Sequence, residues 1–139
     1  MYDSILVPVD RSAPSDAALE HARSLAGEHD ATVHLLHAVE LVQLGYAGTI
    51  PSHVVEGARK GAEELLAEAA EAFDAVPVET TVATGGPAAT IDEYVDDHDI
   101  DLVVMGTHGR SGIERVVLGS TTERTIRLTD APVLTLEAA

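Results

Sequence analysis

Short apolar runs and longer amphipathic stretches alternate along the whole chain. Five runs have the length and the apolar or alternating character of β-strands; they are residues 5–9, 32–39, 78–83, 101–106 and 133–136. Four stretches between them repeat Ala, Leu, Ile or Val at helical spacing; they are residues 15–28, 53–73, 88–97 and 120–128. The pattern therefore predicts strands that alternate with helices.

This alternation favours right-handed crossovers and a mainly parallel sheet. The expected fold is α/β, a three-layer sandwich with helices on both faces of the sheet. A chain of 139 residues without internal repeats fits one domain, residues 1–139. In such sheets ligands bind beyond the carboxyl ends of the strands, where the strand order reverses. That rule directs attention to Asp10, to the end of the second strand and to the residues after Met105.

Composition narrows the class of protein. The chain has no cysteine, which excludes disulfides and thiolate zinc sites. No apolar run approaches the roughly 20 residues that span a membrane, so no membrane association is expected. The first residues, MYDS, lack the basic stretch and apolar core of a signal peptide. We therefore expect a cytoplasmic protein.

Charge is the unusual feature of the composition. The chain has 24 acidic and 8 basic residues, for a net charge of −16, and Lys60 is its only lysine. Such a field disfavours binding to nucleic acid. Abundant acids with scarce lysine resemble the composition of proteins from salt-accumulating halophiles, in which salt screens the repulsion between surface carboxylates.

Half of the basic residues lie between positions 106 and 128. This segment contains four arginines and two glutamates, so its charge is +2 while the remainder of the chain carries −18; the arginines are Arg110, Arg115, Arg124 and Arg127. An anion-binding site would explain the clustering, and a group of surface salt bridges would explain it equally.

The same segment carries a glycine pattern, with Gly106 and Gly109 followed by Gly119 and Ser120. Glycine lets a phosphate approach the backbone closely, and a helix start offers unpaired N–H groups. Hydroxyls from Ser120 and Thr121 and the guanidinium of Arg110 would add donors. In the alternative interpretation the glycines only turn the chain and Ser120 caps the helix.

The pattern G-x2-G-x9-G-[S/T] resembles the C-terminal signature of the universal stress protein family, in its ATP-binding branch. Further similarity lies in three short segments, ILVPVD at 5–10, LHAV at 36–39 and APVL at 131–134. The resemblance covers the whole chain in order. It implies a five-stranded sheet in the order 3-2-1-4-5 and a homodimer formed through the last strands of two subunits.

The resemblance also implies a site for ATP, with Mg²⁺ or Mn²⁺ as the ion that would accompany the phosphates. The adenine and ribose contacts fall on Pro8, Val9, Asp10 and Ala38, with Met105 lining the base pocket. The phosphate contacts fall on Gly106, Gly109, Arg110, Gly119, Ser120 and Thr121. A carboxylate at a strand end suits ribose hydroxyls, although an Asp at position 10 also suits helix capping.

The histidines do not predict a metal site. His34 and His37 are three residues apart in one strand, so they point to opposite faces. His108 lies in the glycine loop, where it either contacts phosphate or faces solvent. No Walker sequence GxxxxGK[ST] is present.

Three functions remain open. The first is an ATP-binding regulatory protein of the stress response, with an unknown protein partner. The second is a slow metal-dependent ATPase, in which Asp10 or a loop group orients water. The third is a nucleotide-free dimeric interaction module. We expect Gly109→Val or Gly119→Val to abolish nucleotide binding in a folded domain.

The acidic composition generates a first prediction. If it is a halophile trait, the free energy of unfolding should rise as NaCl increases from dilute to molar concentration, because salt screens carboxylate repulsion. Urea unfolding at a series of salt concentrations measures this. Equal stability in dilute buffer would contradict the halophile interpretation.

Overall fold

The structure, a computed structural model, describes residues 1–41, 49–108 and 118–138. Nine elements lie in these ranges, in the order β1 (Ser4–Pro8), α1 (Ala13–His29), β2 (Thr32–Val39), α2 (Ser52–Ala70), β3 (Val78–Thr84), α3 (Pro87–Asp97), β4 (Leu102–Gly106), α4 (Ser120–Leu128) and β5 (Val133–Leu136). The predicted alternation of strands and helices is confirmed. No helix within the described ranges is long and apolar enough to cross a membrane.

The strands form one five-stranded sheet in the order β3-β2-β1-β4-β5, and all neighbouring pairs run parallel. This is the 3-2-1-4-5 order that the resemblance implies. From β1 the chain moves outward through β2 and β3, then returns to β4 on the other side of β1. The strand order therefore reverses between β1 and β4, and a crevice opens at their carboxyl ends.

Helices cover both faces of the sheet. On one face α1 and α2 pack on β1, β2 and β4, and the fully buried Ala18, Ala22 and Ala26 let α1 lie close to the sheet. On the other face α3 packs on the sheet through Ile91 and Val95, and α4 lies beside α3. Because side chains of β1 are buried on both faces, this strand is apolar without alternation.

Nine element ends differ from the prediction by one to three residues, and three of them illustrate the contacts involved. α1 begins at Ala13 because the Ser12 hydroxyl accepts from the Ser15 N–H at 3.2 Å and caps the helix. β1 ends at Pro8, one residue before the predicted end. α2 ends at Ala70, and the next three residues each donate to the carbonyl three positions earlier, which tightens the chain into a turn.

Gly106 ends β4 where the start of α1 approaches the sheet. A Cβ at this position would lie 2.6 Å from Pro14 Cβ and 2.9 Å from the Pro14 carbonyl carbon. The Gly106 carbonyl also accepts from Thr122 Oγ1 at 2.8 Å. The residue therefore sits between the first turns of α1 and α4, with no room for a side chain.

We expect Gly106→Ala to lower the free energy of unfolding by about 1–3 kcal/mol, because the new methyl group forces α1 away from β4. Urea unfolding followed by circular dichroism measures the change. Gly61→Ala in α2 is the matched control. Its Cβ meets nothing within 4 Å, so it should raise stability by up to about 1 kcal/mol. A Gly106→Ala chain as stable as the wild type would contradict the close packing.

Candidate functional site

A cleft opens at the carboxyl edge of the sheet, above the ends of β1 and β4. The space it encloses is about 630 Å³ when the solvent-filled mouth is included. Seven of the residues predicted for the site line this cleft: Pro8, Val9, Asp10, Ala38, Met105, Gly106 and Thr121. Segments far apart in the sequence thus meet around one space.

The other predicted residues have different placements. Gly119 and Ser120 do not line the cleft; they stand at the start of α4, directly before Thr121. Gly109 and Arg110 lie outside the described residues.

Asp10 is held in the turn between β1 and α1. Its Oδ1 accepts from the Ser12 N–H at 2.8 Å, and its own backbone N–H donates to Ser15 Oγ at 3.0 Å. Since Ser12 caps α1, Asp10 is not the helix cap that the sequence left open. Within the described residues Oδ2 has no hydrogen-bond partner, so it can accept from a ligand hydroxyl at the cleft.

Two helix starts without capping side chains border the cleft. Gly119 precedes α4 and Gly86 precedes α3, and neither offers a side-chain acceptor to the first backbone N–H groups. Thr121 of α4 and Pro87 of α3 line the cleft itself. Unpaired N–H groups and the positive ends of two helix dipoles make this part of the cleft suited to an anion.

Gly119 has an architectural role next to the cleft. Its N–H donates to the Thr107 carbonyl at 2.7 Å, and a Cβ there would lie 2.9 Å from His108 Cα. Gly119→Val would therefore push against backbone. The expectation that this variant stays folded and loses only binding is not supported by the geometry.

The backbone of Ala38 faces the cleft because the β1–β2 ladder stops early. The Val9 N–H donates to the Leu36 carbonyl at 2.8 Å, but the Val9 carbonyl accepts from His37 Nδ1 at 2.7 Å. Backbone groups of alternate residues point to the same side of a strand. The Ala38 N–H and C=O are therefore directed past the end of β1, as one donor and one acceptor.

Sequence reasoning missed part of the lining, namely Ser12, Ser15, Leu36, His37, Pro87, Ile91 and Thr122. A serine at position 12, followed by Pro14 and a helical pattern, was a signal for the cap. The sequence brings in His37 only as part of the LHAV similarity and as a candidate metal ligand. His108, for which the sequence left phosphate or solvent open, lies in the lining.

His34 and His37 have separate surroundings, in keeping with the strand alternation. His34 is buried against α3, where its Nδ1 lies 2.7 Å from Tyr94 Oη. Across the described ranges there is no group of three or more His, Asp or Glu side chains that would hold a metal ion.

Comparison with known proteins agrees with the architecture. A family model described as the universal stress protein family matches residues 1–136. The chain belongs to the universal stress protein family. A universal stress protein of Methanocaldococcus jannaschii is 34% identical to it, over 99% of this chain and 83% of the relative.

Solved structures of the family share the fold of this universal stress protein. UspA from Lactobacillus plantarum superposes with a TM-score of 0.83 at 28% identity, covering 97% of each chain. Two more distant ones were solved with nucleotides. A universal stress protein in complex with cAMP has a TM-score of 0.69 and 24% identity, over 99% of this chain and 98% of the other. A universal stress protein from Archaeoglobus fulgidus in complex with dAMP has a TM-score of 0.71 and 21% identity, over 97% of this chain and 98% of the other.

In this universal stress protein, a cluster around His34 lies one turn below the α3 wall of the cleft. The Tyr94 and His98 rings stack at 3.8 Å, and both meet the His34 ring edge-on. Glu79 of β3 pairs with His34 in register. Burial lowers the pKa of His34 below 6.5; the Glu79 carboxylate opposes this effect and His98 adds to it. Burial also raises the pKa of Tyr94.

We expect the free energy of unfolding to fall as pH drops below about 6.5, because His34 then gains a proton in the unfolded chain while it stays neutral in the folded one. The fall should end once folded His34 is protonated too. His34→Gln should flatten this part of the profile, measured by urea unfolding between pH 8 and 5. His21→Gln, at an exposed position on α1, should keep the wild-type profile. A His34→Gln profile that follows the wild type would contradict the assignment.

Proposed function

We propose that this universal stress protein is a regulatory protein of the stress response that binds an adenine nucleotide, ATP in particular, in the cleft at the carboxyl edge. The observation that carries the proposal is the meeting of three kinds of group around one space. These are the backbone donor and acceptor of Ala38, the carboxylate of Asp10, and the uncapped start of α4.

The base would lie against Ala38. The Ala38 N–H would donate to adenine N1, and the Ala38 C=O would accept from the exocyclic N6 amine. Guanine presents a donor at N1 and an acceptor at O6, so it meets this pair in the wrong order. Pro8, Val9 and Met105 supply apolar walls, which suit a flat ring.

The ribose would lie between the base and the phosphates, beside Asp10. Oδ2 of Asp10 would accept from ribose hydroxyls. Its negative charge would direct the phosphates away, toward the first turn of α4. There Gly106, Gly119, Ser120 and Thr121 would surround them, and Gly109 and Arg110 join this set on the sequence motif. Mg²⁺ or Mn²⁺ would accompany the phosphates.

Two further lines support the proposal. Relatives of the same fold have been solved with cAMP and dAMP, so the architecture accommodates adenine nucleotides. The positive segment 106–128 supplies local charge for an anion in an acidic chain.

The expected homodimer belongs to the same proposal. β5 lies at an edge of the sheet, which is where the last strand of a second copy would have to pair.

We expect calorimetric titration with ATP and Mg²⁺ in molar salt to give saturable binding near one nucleotide per chain. GTP should bind at least tenfold more weakly because of the Ala38 pair. Thr121→Glu should weaken ATP at least tenfold, since a carboxylate would occupy the anion position. A glutamate in a first helical turn is itself favourable, so the domain should stay folded.

Ser52→Glu is the matched control, because it places the same charge in the exposed first turn of α2; its ATP affinity should equal that of the wild type. A folded, nucleotide-free wild-type chain that takes up no ATP would contradict the proposal and favour the protein-interaction module. Release of phosphate in the same samples would show that the bound ATP is hydrolysed and would support the slow ATPase.

A further inference from the structure

At the cleft, the side chain of His37 takes the place of one hydrogen bond of the β1–β2 ladder. In a continuing parallel ladder the Val9 carbonyl would accept from the Ala38 N–H. It accepts from His37 Nδ1 instead, at 2.7 Å. A carbonyl oxygen has no hydrogen to give, so Nδ1 carries the proton and the tautomer of the ring is fixed.

The carbonyl that His37 holds belongs to the peptide unit that joins Val9 to Asp10. This unit is planar and rigid. Its oxygen is fixed by His37 of β2, and its N–H is fixed by Ser15 Oγ of α1 at 3.0 Å. The unit is therefore held at both ends, by β2 at its oxygen and by α1 at its N–H.

The side chain of Asp10 leaves this clamped unit at its Cα. Oδ1 is engaged by the Ser12 N–H at 2.8 Å, so three hydrogen bonds set where Oδ2 lies. Only one of the three, the His37 bond, comes from across the cleft on β2. Without it the Val9 carbonyl would lack its partner and the peptide would be free to rotate about its remaining contacts.

We propose that His37 is a positioning residue, which clamps the Val9–Asp10 peptide and so fixes the carboxylate that accepts from the ribose. The inference rests on the proposed nucleotide site and adds to it a residue that acts through Asp10. Loss of the clamp reduces the affinity that the ribose hydroxyls contribute and leaves the base and phosphate contacts in place.

The experiment compares ATP with 2′,3′-dideoxy-ATP, which lacks both ribose hydroxyls, by calorimetry on three chains. The wild type should bind ATP at least tenfold more tightly than the dideoxy compound. His37→Phe keeps a ring and loses the donor, so this preference should fall below threefold, with affinity for the dideoxy compound unchanged. His37→Asn places an amide donor near the Nδ1 position, so it should retain most of the preference.

Ser15→Ala removes the other end of the clamp and should lower the preference in the same way, which keeps the test decisive should His37→Phe fail to fold. A folded His37→Phe chain with the wild-type preference overturns the inference. Equal loss of both nucleotides overturns it as well, because the effect would then not pass through the ribose. A wild type that binds both nucleotides equally overturns the ribose contact while nucleotide binding stands. A wild type that binds neither overturns the proposed function itself.

Discussion

Contact between β4 and the first turn of α1 at Gly106 governs the whole carboxyl edge of this protein. Because residue 106 has no side chain, Pro14 can lie directly on the strand. That approach brings the α1 cap close enough for Ser12 and Ser15 to hold Asp10. The Gly106 carbonyl also anchors α4 through Thr122. One glycine thus sets the distance between two helix starts, and the cleft between them follows from it.

The cleft also depends on the unequal lengths of neighbouring strands. β1 ends at Pro8, whereas β2 continues to Val39 and stays paired with β3 as far as Thr84. The part of β2 beyond β1 therefore has one side without a strand partner. Water can satisfy these backbone groups only while the cleft stays open, so a ligand that enters must replace each hydrogen bond it displaces. In the proposed site, this requirement would make the backbone of Ala38 selective without any polar side chain.

Periodicity was enough to predict every element in the described ranges, and β2, α4 and β5 have the bounds that the pattern indicated. The errors lie at ends decided by contacts between elements, such as Val9, whose carbonyl turns to His37 instead of the ladder. The topology rule for parallel sheets directs attention to Asp10, to the end of the second strand and to the residues after Met105, whereas Ala38 and Met105 themselves were implied by the family resemblance. It could not find His37, whose partner is 28 positions away, because hydrophobic pattern and motif spacing carry no information about such a bond.

An anion site in a chain of net charge −16 cannot depend on long-range attraction. The overall field repels a nucleotide, and the repulsion is strongest in dilute salt, where charges are least screened. Affinity must then come from donors within hydrogen-bond distance, and backbone N–H groups at helix starts act at that distance without adding charge. The arginines clustered in 106–128 oppose the repulsion locally. High salt and a divalent cation reduce the remaining field, so the acidic surface and a short-range, backbone-built site are compatible in one small domain.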